Sequence, residues 1–295
     1  MTSFGIDIGG TRTKAALVDT EGTVLATAEQ ETQYEEAALI ALVCDLVEQH
    51  APVDTPIGIG SPGLASADNR SIGWMQGRLD AVEGLVWCER LGRNACWVLN
   101  DAHAATLGEA WLGAAAGVQN ALILTLGTGV GGGVVLNGEL FQGPTGRAGH
   151  FGHITVNAHG APDIVGTPGS LEDAVGNHTV EDRTQGRFPD TADLVAAYEA
   201  GDQDAAHRWR KSVEILAAGL TSLINTFDPE VIVVGGGIAK CGPLLFDPLH
   251  EAMERFEWRP FGKRVHIVPA KLGGMAGSIG AARFASLQTQ QASPS

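Results

Sequence analysis

The sequence predicts an α/β protein in which mixed β-sheets are flanked by helices. Strand-like and helix-like segments alternate along the 295 residues, as they do in α/β folds. A strand–glycine turn–strand unit occurs twice, and because such a hairpin is antiparallel, the sheets are expected to be mixed rather than purely parallel. A chain of this length is also sufficient for two domains, each with its own core.

The two strand–turn–strand units are residues 4–22 and 122–138. The first reads FGIDIGGTRTKAALVDTEG and the second reads LILTLGTGVGGGVVLNG. Gly9 of the first unit corresponds to Gly127 of the second. Two similar units so far apart in the chain indicate two related domains that face each other, rather than a solenoid of short repeats.

Further elements are predicted between and after these units from the spacing of apolar residues and from turn residues. They are a helix over 35–50, a short buried strand and loop over 56–63, a strand and helix over 95–113 with a break at Asn100-Asp101, a helix over 204–227, a strand over 231–237 and a final helix within 273–287. The polar tail from residue 288 is expected to be frayed.

Composition disfavours several classes of protein. The formal charge of −15 would repel nucleic acid. No apolar stretch approaches the ~20 residues of a membrane span, and the first residues carry no signal-peptide pattern. The cysteines are scattered and form no C-x-x-C pair, which disfavours disulfides and thiolate zinc and indicates a cytoplasmic protein. These cysteines are Cys44, Cys88, Cys96 and Cys241.

Glycine is unusually frequent, with 40 residues, roughly twice the usual ~7% share. The stretch GTGVGG (127–132) matches a dinucleotide fingerprint, but a strand follows it instead of a helix, which disfavours a dinucleotide oxidoreductase. No P-loop motif occurs in the sequence. A glycine turn between two strands can instead bind phosphate through its backbone N–H groups. A plain hairpin is the alternative interpretation of each turn.

Polar residues surround the glycines of the first unit. Asp7 precedes them, where a carboxylate can organise Mg²⁺ through water. Thr11 and Lys14 follow with a hydroxyl group and a positive charge. We call residues 9–11 the first glycine turn and residues 127–129 the second. Together the two glycine turns predict that one polyphosphate is bound from both sides.

Four motifs, in this order, resemble the ROK family of bacterial sugar kinases. They are D-I-G-G-T-x-T-K from Asp7, N-D-A-x-A-A from Asn100, T-L-G-T-G-V-G-G-G from Thr125 and V-G-G-G from Val234. The resemblance extends from residue 4 to about 284. It implies a two-domain actin-like (ribonuclease H-like) fold. The N-terminal lobe would be residues 1–112, completed by a C-terminal helix over 276–288, and the C-terminal lobe would be residues 113–275.

The resemblance implies phosphoryl transfer from ATP, with Mg²⁺, to a sugar hydroxyl. Asp101 would be the catalytic base, and a helix N-terminus would keep its carboxylate ionised. Helix capping is the bland interpretation of the Asn100-Asp101 pair. The implied phosphate and Mg-ATP residues are Asp7, Gly9, Gly10, Thr11, Thr13 and Lys14, then Gly127, Thr128 and Gly129, and finally Gly235, Gly236 and Gly237 near the adenosine.

The resemblance also implies a set of sugar-binding residues, one of which departs from the family pattern. The set is Gly63, Asn100, Asp101, His150, His153 and Glu172. Where the family reads G-E-x-G-H, this sequence reads GHFGH over 149–153, so His150 replaces a glutamate. An ionised carboxylate only accepts hydrogen bonds, whereas a neutral imidazole offers one donor and one acceptor. We therefore expect an altered preference for sugar hydroxyls.

The zinc-binding cysteines of the family are missing as well. Ser170 stands where the last of them belongs, and no cysteine occurs between residues 97 and 240. Structural zinc takes four ligands, mostly thiolate and imidazole. His153 alone remains from that set, so we expect no protein-bound zinc, although His150 and His159 are close to it in the sequence.

For several polar and aromatic residues nearby, a structural role is expected or is an alternative to a functional one. Asp163 and Asp173 are expected to be solvated or to cap a helix. His103 is expected to pack on the helix that follows Asp101. In the segment 71–87, Trp74 and Gln76 are candidate sugar contacts, with packing of a lobe edge as the alternative.

Two interpretations of the function follow from the sequence. The first is an ATP-dependent hexose kinase acting on O6 of glucose or a related hexose, with mannose, N-acetylated hexoses and fructose still open. The second, motivated by His150 and the missing cysteines, is a sugar-sensing regulatory protein with little or no catalysis. The first motif begins at residue 7, so no DNA-binding helix-turn-helix is expected ahead of it. Family resemblance also implies a homodimer.

Overall fold

The protein is described by a computed structural model that covers residues 1–76 and 79–292. Within those ranges it forms strands and α-helices in alternation. The strands are β1 (Thr2–Ile8), β2 (Arg12–Asp19), β3 (Val24–Glu31), β4 (Ile57–Ser61), β5 (Leu64–Ala65), β6 (Ile72–Trp74), β7 (Cys96–Asn100), β8 (Ala121–Leu126), β9 (Val130–Leu136), β10 (Glu139–Phe141), β11 (Val231–Gly235) and β12 (His266–Pro269). The helices are α1 (Glu36–His50), α2 (Trp87–Leu91), α3 (Asp101–Trp111), α4 (Leu171–Val175), α5 (Val180–Arg183), α6 (Thr191–Glu199), α7 (Gln203–Phe227), α8 (Pro243–Phe256) and α9 (Ala276–Ala292).

The predicted α/β class with mixed sheets is confirmed. Both predicted hairpins are present as β1–β2 and β8–β9, and the helix over 204–227 is α7. One prediction is wrong: the tail is not frayed from residue 288, because α9 continues to Ala292. Residues 77 and 78 of the segment 71–87, and residues 293–295, lie outside the described residues.

Two five-stranded sheets share one pattern of strand order. The first has the order β3-β2-β1-β4-β7 and the second has the order β10-β9-β8-β11-β12. In the first sheet β1 and β2 are antiparallel, whereas β1, β4 and β7 are parallel. In the second, β9 and β10 are antiparallel, whereas β8, β11 and β12 are parallel. The repeat seen in the sequence therefore extends to whole sheets.

The chain divides into two compact units. The first comprises residues 1–117, residues 133–148 and the chain from Lys271 onward, and the second comprises residues 118–132 and 149–270. Among the residues that the structure describes, no helix combines the length and the apolar character needed to cross a membrane.

Helices cover both faces of the sheet in the first unit. Alternate residues of a strand point to opposite faces, and on one face Phe4 and Ile6 of β1 pack with Leu39 of α1. On the other face, glycines allow α9 to approach the strands closely. A Cβ atom on Gly5 or Gly58 would overlap the backbone of α9. The C-terminal helix is therefore part of the core of the first unit.

In the second unit, β8 and β11 are buried parallel neighbours, with Leu124 beside Val234 and Thr125 beside Gly235. Parallel neighbours end at the same edge of a sheet. The loops that follow β8 and β11 therefore lie side by side, and both contain glycine-rich sequences.

Candidate active site

The N-terminus of α3 is formed by the predicted Asn100-Asp101 pair. Asn100 is the N-cap, and its Oδ1 accepts hydrogen bonds from the N–H groups of Ala102 (2.9 Å) and His103 (3.2 Å). Asp101 is the first helical residue, and its Oδ1 accepts from the N–H of Ala102 at 2.8 Å. The unpaired N–H groups at a helix N-terminus favour a carboxylate there. The capping interpretation is therefore correct for Asn100, and the Asp101 carboxylate lies at the start of the helix.

Asn100 also joins the helix to the loop that follows β4 and contains Gly63, a predicted sugar-binding residue; we call it the sugar loop. Its Nδ2 donates a hydrogen bond to the carbonyl oxygen of Gly63 at 3.0 Å, and its side chain is buried. Gly63 has φ +99°, and a Cβ atom there would overlap Ile72 and the carbonyl of Trp74. Only glycine fits this backbone conformation and this space. One buried amide therefore holds Gly63 and the start of α3 together.

Asp7 lies in the same part of the first unit, at the carboxyl end of β1. It is directly opposite Lys14 in the β1–β2 register. The Asp7 pKa is raised to about 7, because burial and the charge of Asp101 raise it by more than Lys14 lowers it. Burial also raises the Asp101 pKa, and its hydrogen bonds to the N–H of Ala102 and to Asn100 oppose that rise. The one lysine beside Asp7 thus does not offset the combined effect of burial and of the neighbouring Asp101 carboxylate on the Asp7 pKa.

This donor set fits a magnesium ion that is held mainly through water and phosphate. Carboxylate oxygens are ligands that Mg²⁺ prefers, and the ion usually keeps several waters and takes only one or two carboxylates. A cation near Asp7 and Asp101 would relieve their mutual repulsion. Over the described residues, no group of three or more His, Cys, Asp or Glu side chains is arranged to enclose a metal ion. The residues present therefore suit a cation that arrives with phosphate.

The carbonyl groups of the first glycine turn accept hydrogen bonds from residues that follow β3. The carbonyl of Gly9 accepts from the Thr32 hydroxyl at 2.7 Å, and that of Gly10 accepts from the Tyr34 hydroxyl. Thr13 is buried, and its hydroxyl hydrogen-bonds that of Thr32 at 3.0 Å. Within the described chain, the N–H groups of Gly10 and Thr11 form no hydrogen bond. They are available for an anion, and Thr13 lies behind the turn as part of its support.

The carbonyl groups of the second glycine turn likewise accept hydrogen bonds, here from residues that follow α4. The carbonyl of Gly127 accepts from the N–H of Asn177 at 2.9 Å. The carbonyl of Thr128 accepts from the N–H of His178 at 3.0 Å and hydrogen-bonds its Nδ1 at 2.8 Å. In the described structure the N–H groups of Thr128 and Gly129 bond to no protein group. This turn too presents N–H groups in the manner of an anion-binding nest.

The late glycine motif lies beside the end of β8. Gly236 follows β11 with φ +89°, and a Cβ atom there would overlap the backbone of Leu126. Gly127 comes directly after Leu126 in the chain. Two of the predicted nucleotide-binding segments, 127–129 and 235–237, are therefore brought together although they are far apart in the sequence.

Glu172 lies against the second glycine turn as well. It is in the first turn of α4, and its Oε2 accepts from the N–H of Val130 at 2.8 Å. A Cβ atom on Gly129 would overlap this carboxylate. Glu172, predicted as a sugar ligand, is thus also a direct support of the phosphate-binding turn.

Comparison with known proteins assigns nearly the whole chain to one family. Residues 3–288 match the sequence profile of the ROK family. The chain belongs to the ROK family. Among curated proteins it is similar to the glucokinase of Streptomyces coelicolor, with 31% identity over 96% of this chain and 97% of that protein.

Solved ROK structures share the fold. The chain is similar to the ROK hexokinase from Thermus thermophilus, with a TM-score of 0.87, 32% identity, and coverage of 99% of this chain and 100% of that one. It is also similar to a ROK glucokinase from Streptomyces griseus in complex with glucose and AMPPNP, with a TM-score of 0.81, 29% identity, and coverage of 97% and 100%. An ATP analogue and a sugar are thus bound by that relative.

In this ROK protein the histidine segment is organised by an aspartate. His153 Nδ1 is 2.8 Å from Oδ2 of Asp163, whose side chain has no exposed surface. Of the two interpretations of Asp163, solvation is wrong, and capping is correct in that its Oδ1 accepts hydrogen bonds from the N–H groups of Val165 and Thr167. Its burial alone would raise the Asp163 pKa, but hydrogen bonds from His153, Thr167 and Val165 outweigh that effect, and the pKa is lowered. His150 stacks on His153, with the ring centroids 6.4 Å apart and an angle of 10° between the planes.

Sequence reasoning missed the residues that support the site from a distance. Thr32 and Tyr34 support the first glycine turn, and Asn177 and His178 support the second. None of them lies in a motif that carries chemistry. The sequence does carry a signal for Asp163. This residue begins the stretch DIVGT (163–167), in which a glycine follows the aspartate three residues later, as in a tight turn closed by a side chain.

Proposed function

We propose that this protein is an ATP-dependent sugar kinase that transfers the γ-phosphate of ATP to a hexose hydroxyl. Membership of the ROK family supports the class of reaction. The single observation that carries the proposal is the position of Asp101. Its carboxylate is at the N-terminus of α3, beside Asn100, whose amide group binds the sugar-loop residue Gly63.

In the proposed reaction, Asp101 acts as the base. The sugar hydroxyl oxygen forms a bond to the γ-phosphorus, the bond from that phosphorus to the β-bridging oxygen breaks, and ADP leaves. The hydroxyl proton passes to the Asp101 carboxylate. Burial raises the Asp101 pKa, and a base is more effective when its pKa lies closer to the working pH.

Asp7 and Lys14 are assigned to the charge of ATP. When bound there, Mg²⁺ supplies positive charge that neutralises the transferred phosphoryl group. Asp7 would hold the ion through water. Lys14, opposite Asp7 on β2, would offset the carboxylate charge and attract phosphate.

The phosphate contacts are assigned to the N–H groups of the two glycine turns. They are provided by residues 9–11 and 127–129, whose carbonyl groups are already occupied. Preorganised donors of this kind stabilise charge without having to reorient during the reaction. Residues 235–237, beside the second turn, are assigned to the adenosine side.

The sugar is assigned to Gly63, Asn100, Asp101, His150, His153 and Glu172. We propose O6 of glucose or a related hexose as the acceptor, by similarity to glucokinases. The protein is further proposed to act as a homodimer. Its N-terminal lobe is proposed to be residues 1–112 completed by the helix over 276–288, and its C-terminal lobe residues 113–275.

The test is ADP release over a panel of hexoses, with the Asp101→Asn variant and with Asp182→Asn as a control at an exposed position of α5. We expect turnover with at least one hexose, a loss of kcat on the order of 10²–10⁴-fold in Asp101→Asn, and no loss in the control. Asparagine is similar in shape but cannot take the proton.

One pattern of results would favour the sugar-sensing alternative. Purified protein would release no ADP with any sugar, while one sugar would still raise the melting temperature. Full activity in Asp101→Asn would instead retain the kinase and remove Asp101 as its base.

A further inference from the structure

The segment between residues 154 and 171 leaves the body of the second unit and returns to it as an irregular loop. Backbone hydrogen bonds close its base, from Leu171 N–H to the Ile154 carbonyl and from Val156 N–H to the Gly169 carbonyl, both at 2.9 Å. The tip carries no regular secondary structure. Nearer the tip, further backbone bonds run from Gly169 N–H to the Ala161 carbonyl (2.8 Å) and from Asp163 N–H to the Thr167 carbonyl (2.9 Å), and a side chain adds one more tie.

The Asp163 carboxylate provides that tie. Its Oδ1 accepts from the N–H groups of Val165 (3.0 Å) and Thr167 (2.8 Å), and its Oδ2 is 2.8 Å from His153 Nδ1. The side chain is fully buried. Hydrogen bonds to a buried carboxylate are among the stronger ones in proteins. Asp163 thus joins the tip of the loop to the segment that precedes it.

The contact with Asp163 also determines which ring nitrogen of His153 carries the hydrogen. An ionised carboxylate can only accept, so Nδ1 carries the hydrogen and Nε2 of the neutral ring keeps the lone pair. A nitrogen that donates to a carboxylate cannot also bind a metal ion. The Asp163 contact therefore occupies the His153 nitrogen that a metal would need on this side of the ring.

The residues present do not fit a structural zinc ion. Tetrahedral zinc needs four ligands that converge, and no cluster of three candidate ligands exists in the described parts of the chain. The rings of His150 and His153 are nearly parallel. Because imidazole lone pairs lie in the ring plane, two parallel rings do not direct their nitrogens at one ion between them.

We infer that Asp163 replaces a metal ion in this loop and is a positioning residue for His153. It holds the loop through Oδ1, and through Oδ2 it presents His153 Nε2 as a hydrogen-bond acceptor. The ligand this favours is a hydroxyl donor, and the identity of that donor as a sugar hydroxyl rests on the proposed function. Asp163 itself touches no substrate.

Asp163→Asn separates these two roles. The amide oxygen can still accept from the N–H groups of Val165 and Thr167, but the amide NH₂ then faces His153 Nδ1. An NH₂ group donates, so Nδ1 must accept and the proton must move to Nε2. The loop is retained while the His153 tautomer is reversed.

The first readout is ¹⁵N NMR of histidine-labelled protein, assigned with His153→Gln. We expect a His153 Nδ1–H signal in the wild type and Nε2–H in Asp163→Asn. The second readout is kinetic: KM for the sugar rises about tenfold, as for one lost hydrogen bond, while KM for ATP is unchanged. A merely structural role for Asp163 predicts no selective rise in sugar KM. Asp182→Asn is the control and should match the wild type.

The third readout is metal content by elemental analysis, with the melting temperature measured before and after EDTA. We expect zinc far below one equivalent and no effect of EDTA. One equivalent of zinc, or an Nε2–H proton in the wild type, overturns the inference. The NMR and metal readouts need no catalysis, so a protein that phosphorylates no sugar refutes the proposed function and still leaves this inference decided.

Discussion

The first and second glycine turns use one backbone arrangement in two different settings. In both, a neighbouring segment holds the carbonyl groups, and N–H groups of the turn have no partner among the residues that the structure describes. In the first turn the holding groups are the hydroxyls of Thr32 and Tyr34, and in the second they include the backbone N–H groups of Asn177 and His178. The repeated hairpin therefore supplies the anion-binding nest in both units, whereas different segments support it in each.

The two turns also differ in charge. Asp7 and Lys14 face each other beside the first turn, whereas Thr125 occupies the position of Asp7 beside the second. A carboxylate with a pKa of about 7 is costly to bury unless a cation is near it. We therefore assign cation binding to the first turn alone.

The largest expected effect comes from removing that charge. Asp7→Asn should lower kcat by at least about 10²-fold at saturating Mg²⁺ and ATP, since charge neutralisation in phosphoryl transfer is worth several kcal/mol. The measurement is a steady-state assay with Thr125→Ser as the control in the other turn. Activity within a fewfold of the wild type would show that the charge difference between the turns has no part in catalysis.

The same variant tests stability, and here the sign is reversed. The folded-state pKa of Asp7, about 7, lies above its ordinary 3.8, so the native state binds a proton more tightly than the unfolded state. In metal-free protein, the contribution of Asp7 to stability is therefore complete below about pH 4, is lost as pH rises to about 7, and is constant above that. At pH 8 Asp7→Asn should be more stable than the wild type by up to about 4 kcal/mol, because the pKa of Asp7 rises from 3.8 to about 7 on folding, and at pH 4 the difference should vanish. Chemical denaturation in EDTA at both pH values would measure it.

An intermediate effect is expected within the second turn. Gly129→Ala places a Cβ atom on the Glu172 carboxylate, whereas the same change at Gly127 meets no atom within 4 Å. Gly129→Ala should cost about 1–3 kcal/mol of stability and raise KM for ATP, because the Glu172 bond to Val130 N–H is disturbed. Gly127→Ala is the matched control for stability. Equal melting temperatures for the two variants would contradict the proposed packing.

The smallest effect is expected from Tyr34→Phe. It removes the hydroxyl that holds the Gly10 carbonyl in the first turn and should raise KM for ATP about threefold to fivefold, as for a part-exposed hydrogen bond of ~1 kcal/mol. The chain has one other tyrosine, Tyr198, and Tyr198→Phe is the control. If both variants bind ATP like the wild type, the hydroxyl does not organise the nest.

The features that could be predicted from sequence are local ones. The hairpins, the break at Asn100-Asp101 and the glycine turns depend on a few consecutive residues, and the structure contains each of them. The edge strand β3 was not predicted, because most of its residues are exposed and show no alternation. It is stabilised by pairing with β2, a contact that a local pattern does not reveal.

The features that could not be predicted arise from contacts between distant segments. Tyr34 reaches Gly10 from beyond β3, and Asn177 reaches Gly127 from beyond α4. The Asp163 side chain is buried, although acidic residues in loops are usually exposed. Its burial depends on the fold of the whole loop, and a single sequence gives no measure of that.

The close packing of α9 has a consequence for how the protein is made. A Cβ atom on Gly277 would overlap the Asp7 carboxylate, and Gly5 and Gly58 let α9 lie directly on the sheet. The ribosome adds α9 long after β1. The packing of α9 around Asp7 can therefore form only after most of the chain has been synthesised. During synthesis the first sheet exposes an apolar face that the last helix later covers. Nascent chains should therefore bind chaperones until α9 emerges, and Asp7 should acquire its raised pKa only in the last stage of folding.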